Sequence, residues 1–196
     1  MSEIKLSALV VAHNEEDRIA ACLDRLKFAD EIVVVLDKCT DGTKTIVANY
    51  TDRVLEGSWD IEGDRRNEGL KFCQGEWILE IDSDEWVTEQ LATNVRQAVN
   101  ESTYGWHEIS VDNYIGDRLV RYGWGGSFGT SAVPRLSRRG VKEWGPQSVH
   151  PSLTWHGTKG YRLNGYLIHH VDRNISDVIR RLDSYTTAKA RDMRAR

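Results

Sequence analysis

The chain lacks most features of membrane, secreted and nucleic-acid-binding proteins. Its three cysteines form no Cys-x-x-Cys pair, and no apolar run approaches the roughly 18 residues of a membrane-spanning helix. The N-terminus has no secretion-signal pattern. An excess of 30 acidic over 26 basic residues gives a net charge of −4, which disfavours nucleic-acid binding. We therefore expect a cytoplasmic protein with reduced thiols and no nucleic-acid partner.

What remains is enough for one globular domain. Of the 196 residues, 40% are hydrophobic and 29% are charged, and only 3 are proline. The composition changes near residue 102, where glycine and aromatic residues become dense, and a helical pattern begins near residue 172. We predict a single domain over 1–196, divided into a first half (1–101), a second half (102–171) and a C-terminal helix (172–196). We expect the second half to contain shorter strands and long loops packed against the sheet.

The first half alternates between apolar runs and segments with helical spacing. The runs that predict strands are 5–12, 31–36, 53–55 and 77–81. The segments that predict helices are 19–26, 43–50, 65–73 and 87–99. This alternation indicates an α/β fold with a mostly parallel sheet flanked by helices. Because such sheets bind ligands beyond the carboxyl ends of their strands, those ends are where we look for chemistry.

The strongest candidate site follows the fourth predicted strand, which leads into Asp82, Ser83 and Asp84. Side chains two residues apart on an extended chain project to the same side, so these carboxylates repel each other unless a cation is near. Oxygen ligands suit Mg²⁺ or Mn²⁺, which commonly bind substrate phosphates as well. An acidic turn is the ordinary alternative, but the position at the ligand-binding edge favours a metal site.

Polar residues also follow the first two predicted strands. Asp37 ends the second strand, where a carboxylate can accept hydrogen bonds from a ribose hydroxyl or a base. Asp41 lies four residues further on and either shares that role or caps the next helix. Asn14 and Glu15 follow the first strand and have the same two interpretations.

Basic residues lie on the predicted helix that precedes the Asp-x-Asp strand. Arg65, Arg66 and Lys71 could offset the charge of a diphosphate from this helix. A solvated charged face is an equally good interpretation of the same pattern.

Taken in order, these segments resemble the family 2 glycosyltransferases, which share the GT-A fold, and the resemblance covers most of the chain. The segments in the first half are LVVAHNEE (9–16), Asp37 with DGT (41–43), RNEG (66–69) and GEWILEIDSDE (75–85). In the second half, PRLSRRG (134–140), VHP (149–151) and LIHH (167–170) are similar to the lipopolysaccharide core β-glucosyltransferase branch. The resemblance implies a nucleotide-sugar-binding half over 1–101 and a smaller acceptor-side region over 102–171.

The resemblance also implies residue roles. Asp84 would bind a divalent cation that bridges the diphosphate, Asp82 would touch that cation or the ribose, and His169 would be a further metal ligand. Because His169 and His170 are adjacent on a short apolar run, we expect one to point inward and the other outward; a structural histidine is the alternative for either. The resemblance implies that Ala12, Asn14, Glu15 and Asp37 hold the nucleotide base and ribose. Together with Asp82 and the candidates Asp41, Arg66 and Lys71 named above, they form the predicted donor-binding set.

One departure concerns the general base that deprotonates the acceptor. Relatives in the core glucosyltransferase branch often have Val-His-Glu where this chain has Val-His followed by Pro151. Proline cannot abstract a proton, so the base candidates are His150, Glu143 and Asp112. A catalytically inactive nucleotide-sugar-binding protein is therefore an alternative to the enzyme.

The implied function is a metal-dependent, inverting glycosyltransferase that uses Mg²⁺ or Mn²⁺. Its donor would be a nucleoside-diphosphate sugar, most simply a UDP-sugar, and its acceptor a glycan or glycolipid such as lipopolysaccharide core. A sugar nucleotidyltransferase is a further alternative, but that class needs a glycine-rich basic loop where this chain has the acidic segment 13–16.

The C-terminal segment adds a possible membrane contact. Residues 173–196 contain seven basic and three acidic residues and carry an apolar stripe at helical spacing. An acceptor anchored in the inner membrane would need the enzyme at that surface, and anionic lipid attracts basic segments. The alternative is that the stripe packs on the domain while the arginines face water.

Overall fold

One mixed sheet forms the centre of the structure. The computed structural model describes residues 4–120, 131–147, 151–172 and 174–194. The strands of these parts are β1 (Leu6–Ala12), β2 (Glu31–Asp37), β3 (Val54–Gly57), β4 (Trp77–Asp82), β5 (Glu85–Val87), β6 (Trp106–Ile115), β7 (Arg118–Leu119), β8 (Ala132–Arg138), β9 (Lys142–Trp144), β10 (Leu153–Trp155) and β11 (Lys159–Asp172).

The order of the main sheet is β3-β2-β1-β4-β8-β6-β11-β5, with β7 paired to β6. The first four strands are mutually parallel, and their register places Leu9 between Val33 and Glu80. Strand β8 is antiparallel to both β4 and β6, and β11 is parallel to β6. The carboxyl ends of β1, β4, β6 and β11 therefore meet at one edge of the sheet, while β9 and β10 form a separate antiparallel pair.

Five helices of the described residues flank the sheet. They are α1 (Ile19–Asp24), α2 (Thr43–Val47), α3 (Glu62–Phe72), α4 (Glu89–Glu101) and α5 (Ile175–Arg194). Helix α4 begins where the Thr88 hydroxyl accepts a hydrogen bond from the backbone N–H of Leu91. Leu91 and Val95 are one helical turn apart and fully buried, so this amphipathic face holds α4 against the sheet.

Apolar side chains cover both faces of the parallel strands. In β1, Leu6, Ala8 and Val10 belong to one buried cluster, and Leu9 belongs to a second cluster on the opposite face. The alternation of side chains along a strand produces these two layers. Burial on both faces explains why the sequence of β1 is a continuous apolar run.

The predicted α/β alternation of the first half is confirmed, with three local corrections. Val87 lies in β5 and not in the helix that follows, because β5 pairs with β11 through Val87 and Leu167. Helix α3 begins earlier than predicted, at Glu62, and α2 ends earlier, at Val47.

The second half differs more from its prediction. Strands β6, β8 and β11 do not pack against the sheet but join it as hydrogen-bonded members. Strand β11 is 14 residues long and continues to Asp172, so the C-terminal helix begins later than predicted. Among the described residues, no helix combines the length and the apolar character needed to cross a membrane.

Candidate active site

A cleft of about 710 Å³ opens at the edge of the sheet where β1, β4 and β11 end. Its position confirms the expectation that chemistry-bearing residues gather beyond the carboxyl ends of the strands. The cleft is lined by Val11, Ala12, His13, Glu15, Glu62, Arg65, Arg66, Asp82, Ser83, Asp84, Ala132, Val133, Pro134, Arg135, Lys142, Trp144, Pro151, Leu153, His169, Val171 and Arg181.

Asp82, at the end of β4, is held by two arginines. Its Oδ1 accepts a hydrogen bond from Nη2 of Arg66 at 2.9 Å, and its Oδ2 accepts one from Arg135. Burial works against the charge of Asp82, but the two guanidinium groups outweigh it and hold the pKa of this carboxyl below its ordinary value. Arg135 also donates to Oε1 of Glu85 at 2.6 Å. The cation that the sequence requires beside Asp82 is thus supplied by arginine.

Asp84 lies in the turn after β4, where its Oδ2 faces His169 and is 3.7 Å from Nη1 of Arg18. The Nε2 atom of His169 is 3.5 Å from Oδ2 of Asp84, and the Nδ1–H of the same ring donates to Oδ1 of Asn113 at 2.9 Å. Burial opposes protonation of the imidazole, but the neighbouring Asp84 carboxylate raises the pKa of His169 above its ordinary value. Asn113 fixes the orientation of the ring and directs Nε2 toward Asp84, as outer partners of metal-binding histidines do.

The described residues fit a divalent cation with two protein ligands rather than three. They contain no group of three His, Cys, Asp or Glu side chains placed to hold a metal ion. Both oxygens of Asp82 are engaged by arginine, which leaves Asp84 and His169 as the pair of facing ligand atoms. Mg²⁺ and Mn²⁺ sites commonly combine one or two protein ligands with substrate phosphates and water, and this pair is compatible with such a site.

The adjacent histidines face opposite sides, as predicted. Whereas His169 contacts the cleft, the His170 ring packs on Trp86 with ring centroids 4.1 Å apart and lies 5.8 Å from Tyr114. His170 therefore belongs to the packing behind the cleft.

The loop after β1 supplies another part of the cleft wall. Ala12 and Glu15 line the cleft, and burial raises the pKa of Glu15. The backbone N–H of Glu15 donates to the Thr43 hydroxyl at 2.8 Å. Asn14 adopts a left-handed φ of 55° and accepts a hydrogen bond from the backbone N–H of Thr40 at 2.8 Å. The structure thus places Ala12 and Glu15 at the cleft, and Asn14 in the bracing of its loop.

Asp41 serves the same loop. Its Oδ1 accepts hydrogen bonds from the backbone N–H and the hydroxyl of Thr43, and its Oδ2 accepts one from the backbone N–H of Glu16. Although burial opposes it, this set of donors lowers the pKa of Asp41. These contacts brace the turn before α2, whose N-cap residue is Gly42.

Asp37 reaches the cleft through a partner. This buried carboxylate pairs with Nη1 of Arg65 at 2.7 Å and accepts a hydrogen bond from the backbone N–H of Trp59 at 3.1 Å. Arg65 lines the cleft, whereas Asp37 does not. Lys71 also lies outside the lining: it is exposed and about 7.5 Å further along α3 than Arg66.

The three candidates for the general base have different positions. Glu143 lies on β9 between Lys142 and Trp144; because neighbouring side chains alternate, it is exposed on the side away from the cleft. Asp112 is adjacent to Asn113 on β6, so its side chain lies on the face of the sheet opposite to that of Asn113. His150 lies outside the described residues, but Pro151 beside it lines the cleft.

Residues that sequence patterns did not single out complete the cleft. Arg135 and Arg181 are cationic, and Asn113 orients His169. Arg135 lies within PRLSRRG (134–140), for which the resemblance implied no residue role, and Arg181 lies on the C-terminal helix. These side chains reach the Asp-x-Asp motif only because β6 and β8 join the sheet and α5 follows β11.

The chain matches glycosyl transferase family 2 over residues 7–129, which is more than half of its length. It belongs to that family. It is therefore a glycosyltransferase, as the resemblance implied. It is 27% identical to the lipopolysaccharide core biosynthesis glycosyltransferase LpsC of Rhizobium meliloti over 197 residues, a match that covers 96% of this chain and 71% of LpsC. It is also 30% identical over 123 residues to the poly(ribitol-phosphate) beta-glucosyltransferase of Bacillus spizizenii, covering 56% of this chain and 18% of that protein.

Solved structures share the fold. The structure of Staphylococcus aureus TarS 1–349 in complex with UDP matches with a TM-score of 0.64 and 17% identity, covering 86% of this chain and 61% of that chain. The complex of the same protein with UDP-GlcNAc matches with a TM-score of 0.51 and 28% identity, covering 60% and 37%. The chain thus spans less than two thirds of these structures. The predicted GT-A fold is confirmed.

Proposed function

We propose that this glycosyltransferase is metal-dependent and inverting, and that it moves a sugar from UDP to a glycan or glycolipid acceptor such as lipopolysaccharide core. The observation that carries this proposal is the Asp84–His169 pair, oriented by Asn113 at the ligand-binding edge of the sheet. The match to LpsC supports the acceptor class. The similarity to a TarS complex with UDP-GlcNAc supports a UDP-linked donor.

Asp84 and His169 would hold Mg²⁺ or Mn²⁺ beside the donor diphosphate. When bound, such a cation neutralises charge that develops on the leaving diphosphate. Arg66 and Arg135 line the same cleft and add positive charge to its wall, while Asp82 keeps both guanidinium groups in place. The remaining donor-binding residues we propose are Ala12, Asn14, Glu15, Asp37, Asp41 and Lys71, of which Ala12 and Glu15 have direct support from the cleft lining.

The transfer also needs a group that takes the proton of the acceptor hydroxyl. His150 is our first candidate, because its neighbour Pro151 lines the cleft. Glu143 and Asp112 have less support from their positions. If His150→Gln lowers kcat and removes the acidic limb of the pH–rate profile, His150 is the base. An unchanged profile would exclude it.

A contact with the inner membrane surface would bring the enzyme to a lipid-linked acceptor, on the cytoplasmic side. Ile175, Ile179 and Leu182 support this part of the proposal, because they lie at positions i, i+4 and i+7 of α5 and are exposed. Val178 of the same stripe is buried against the domain, so the stripe is divided between packing and exposure.

The test measures UDP and UDP-sugar binding by calorimetry with Mn²⁺, with Mg²⁺ and with neither. We expect metal-dependent affinity that is lost in Asp84→Asn and strongly weakened in His169→Ala. The matched control is His170→Ala, which removes the neighbouring imidazole from the packing behind the cleft and should leave affinity for the metal–UDP complex unchanged. Full Mn²⁺-dependent affinity in Asp84→Asn would contradict the assigned site.

Turnover separates the enzyme from the inactive alternative. A chain that binds UDP-sugars with metal but neither hydrolyses them nor transfers the sugar to any glycan or glycolipid acceptor would support a nucleotide-sugar-binding protein. The observation that favours an inactive protein is Pro151, which lines the cleft where related sequences often have glutamate and which cannot accept a proton.

A further inference from the structure

The C-terminal helix reaches the cleft through Arg181. This side chain lines the same cleft as Asp84 and His169. Its Nη2 donates a hydrogen bond to Oδ2 of Asp172 at 2.6 Å. Asp172 is the last residue of β11, three residues after His169 on the same strand. A cation from the far end of the chain is thus fixed to the strand that carries half of the proposed metal site.

The rest of α5 shows that this placement is specific. Val178 is buried, and Arg181 lies one turn further on the same face, so these two side chains turn toward the domain. Ile179 is 61% exposed, and the Arg180 side chain is 76% exposed and pairs with Asp177 on its own helix. The Arg181 side chain, by contrast, is only 29% exposed.

The Asp172 carboxylate positions the guanidinium group. Asp172 is itself buried, with its side chain 5% exposed, so the ion pair lies in the wall of the cleft and not in open water. The contact between Arg181 and Asp172 uses the Nη2 group of Arg181. Because a guanidinium group has five N–H donors in a rigid planar arrangement, donors remain for a second partner. That geometry suits two-point contact with phosphate oxygens.

We propose that Arg181 binds the diphosphate of the nucleoside-diphosphate donor, so that α5 is part of the donor site and not only a C-terminal extension. The inference rests on the proposed function, because it requires a donor diphosphate beside Asp84 and His169. It adds a binding residue from an element outside the parallel half of the sheet, and it assigns Asp172 as the positioning residue for that side chain.

The experiment compares Arg181→Gln with Arg180→Gln, which removes the same charge from the neighbouring position on the same helix. Affinities for UDP and for uridine are measured with Mn²⁺ by calorimetry and ligand-observed NMR. We expect Arg181→Gln to weaken UDP binding by about tenfold or more, equivalent to ~1.4 kcal/mol, and to leave uridine binding unchanged. Arg180→Gln should stay within about twofold of the wild type for both ligands, and Arg181→Lys should retain part of the UDP affinity because it keeps the charge.

Equal UDP affinity in the two glutamine variants would overturn the inference while leaving the proposed function intact. A parallel loss for UDP and uridine, with a lower Tm, would also overturn it, because Arg181 would then only fasten the helix. If the wild-type chain binds no UDP with Mn²⁺, the proposed function fails, and this inference fails with it.

Discussion

The buried ion pair in the wall of the cleft gives the sharpest test of how the site is supported. Lys142 on β9 and Glu80 on β4 form an ion pair in which both side chains are only 2% exposed. The Nε1–H of Trp144 donates to the second oxygen of Glu80 at 2.9 Å. Burial lowers the pKa of Lys142, although the Glu80 carboxylate opposes that shift. Replacing Lys142 by Met keeps the aliphatic packing but leaves the Glu80 charge buried without its cation.

Removing one partner of a buried ion pair costs about 3–5 kcal/mol, a large share of the roughly 5–15 kcal/mol that stabilises a typical domain. With a urea slope of about 2 kcal/mol per molar, Lys142→Met should lower the unfolding midpoint by roughly 1.5–2.5 M. Urea denaturation followed by tryptophan fluorescence measures this shift.

The double variant Lys142→Met with Glu80→Gln isolates the cause. A neutral amide can still accept the Trp144 hydrogen bond, so we expect the double variant to recover most of the lost unfolding free energy. The surface pair of Lys44 and Glu56 is the control, and Lys44→Met should cost little because both side chains are largely exposed. A Lys142→Met cost below about 1 kcal/mol, or a double variant no more stable than the single one, would refute the reasoning.

Three further predictions concern other parts of the molecule. Burial lowers the pKa of His107 from its ordinary 6.5, so below that pH the unfolded chain binds more protons and the free energy of unfolding falls as pH drops from 7 to 5. His107→Gln should remove up to ~1.4 kcal/mol per pH unit of this slope in urea denaturation at several pH values, and an unchanged slope would contradict the prediction. Gly69→Ala would place a methyl group 2.9 Å from two buried side chains of the sheet. We therefore expect it to lower the free energy of unfolding by about 1–3 kcal/mol despite alanine's better helix propensity, and an unchanged free energy of unfolding would show that the helix can shift. Replacing Ile179 and Leu182 together by Ser should reduce co-sedimentation with anionic liposomes at low salt without changing Tm, and wild-type binding no greater than that of the variant would exclude α5 as the membrane contact.

The sequence predicts the parallel half of the fold well because that half is built from local patterns. Strands β1, β2 and β4 are buried on both faces, and such burial requires apolar runs that can be recognised without knowledge of the partner strands. The second half could not be assembled in the same way. Strand β8 carries Arg135 and Ser137 facing inward as buried residues, so its sequence lacks the apolar run of a central strand although it lies between β4 and β6.

The candidate site was predictable to the extent that it follows strand ends. Asp82, Asp84, Ala12 and Glu15 lie where the parallel strands stop, and the structure brings them to one cleft. Their partners come from distant segments: Arg135 lies 53 residues after Asp82 in the sequence, and no periodicity indicates that the two meet. Spacing alone therefore identifies the carboxylates but not the cationic side chains that pair with them.

The two carboxylates of the Asp-x-Asp motif consequently have different tasks, and one substitution can separate them. Asp82 pairs with Arg66 and Arg135 at hydrogen-bond distance, while Asp84 faces the imidazole of His169 and has Arg18 at 3.7 Å. In Asp82→Asn both arginines lose a charged partner, although Arg66 keeps Glu62 and Arg135 keeps Glu85. Since a hydrogen bond to a charged group contributes about 1.5–3 kcal/mol, we expect Asp82→Asn to lower the free energy of unfolding by about 2 kcal/mol.

The same variant should bind the Mn²⁺–UDP complex more weakly than the wild type but better than Asp84→Asn, because the two facing ligand atoms remain and only the arginines that surround them are less well placed. Calorimetry and urea denaturation on the same samples measure both effects. If Asp82→Asn keeps full stability and loses all metal-dependent affinity, Asp82 is itself a metal ligand. The arginine contacts would then belong to the ligand-free state alone, since the cation would have to displace at least one guanidinium group to reach the carboxylate.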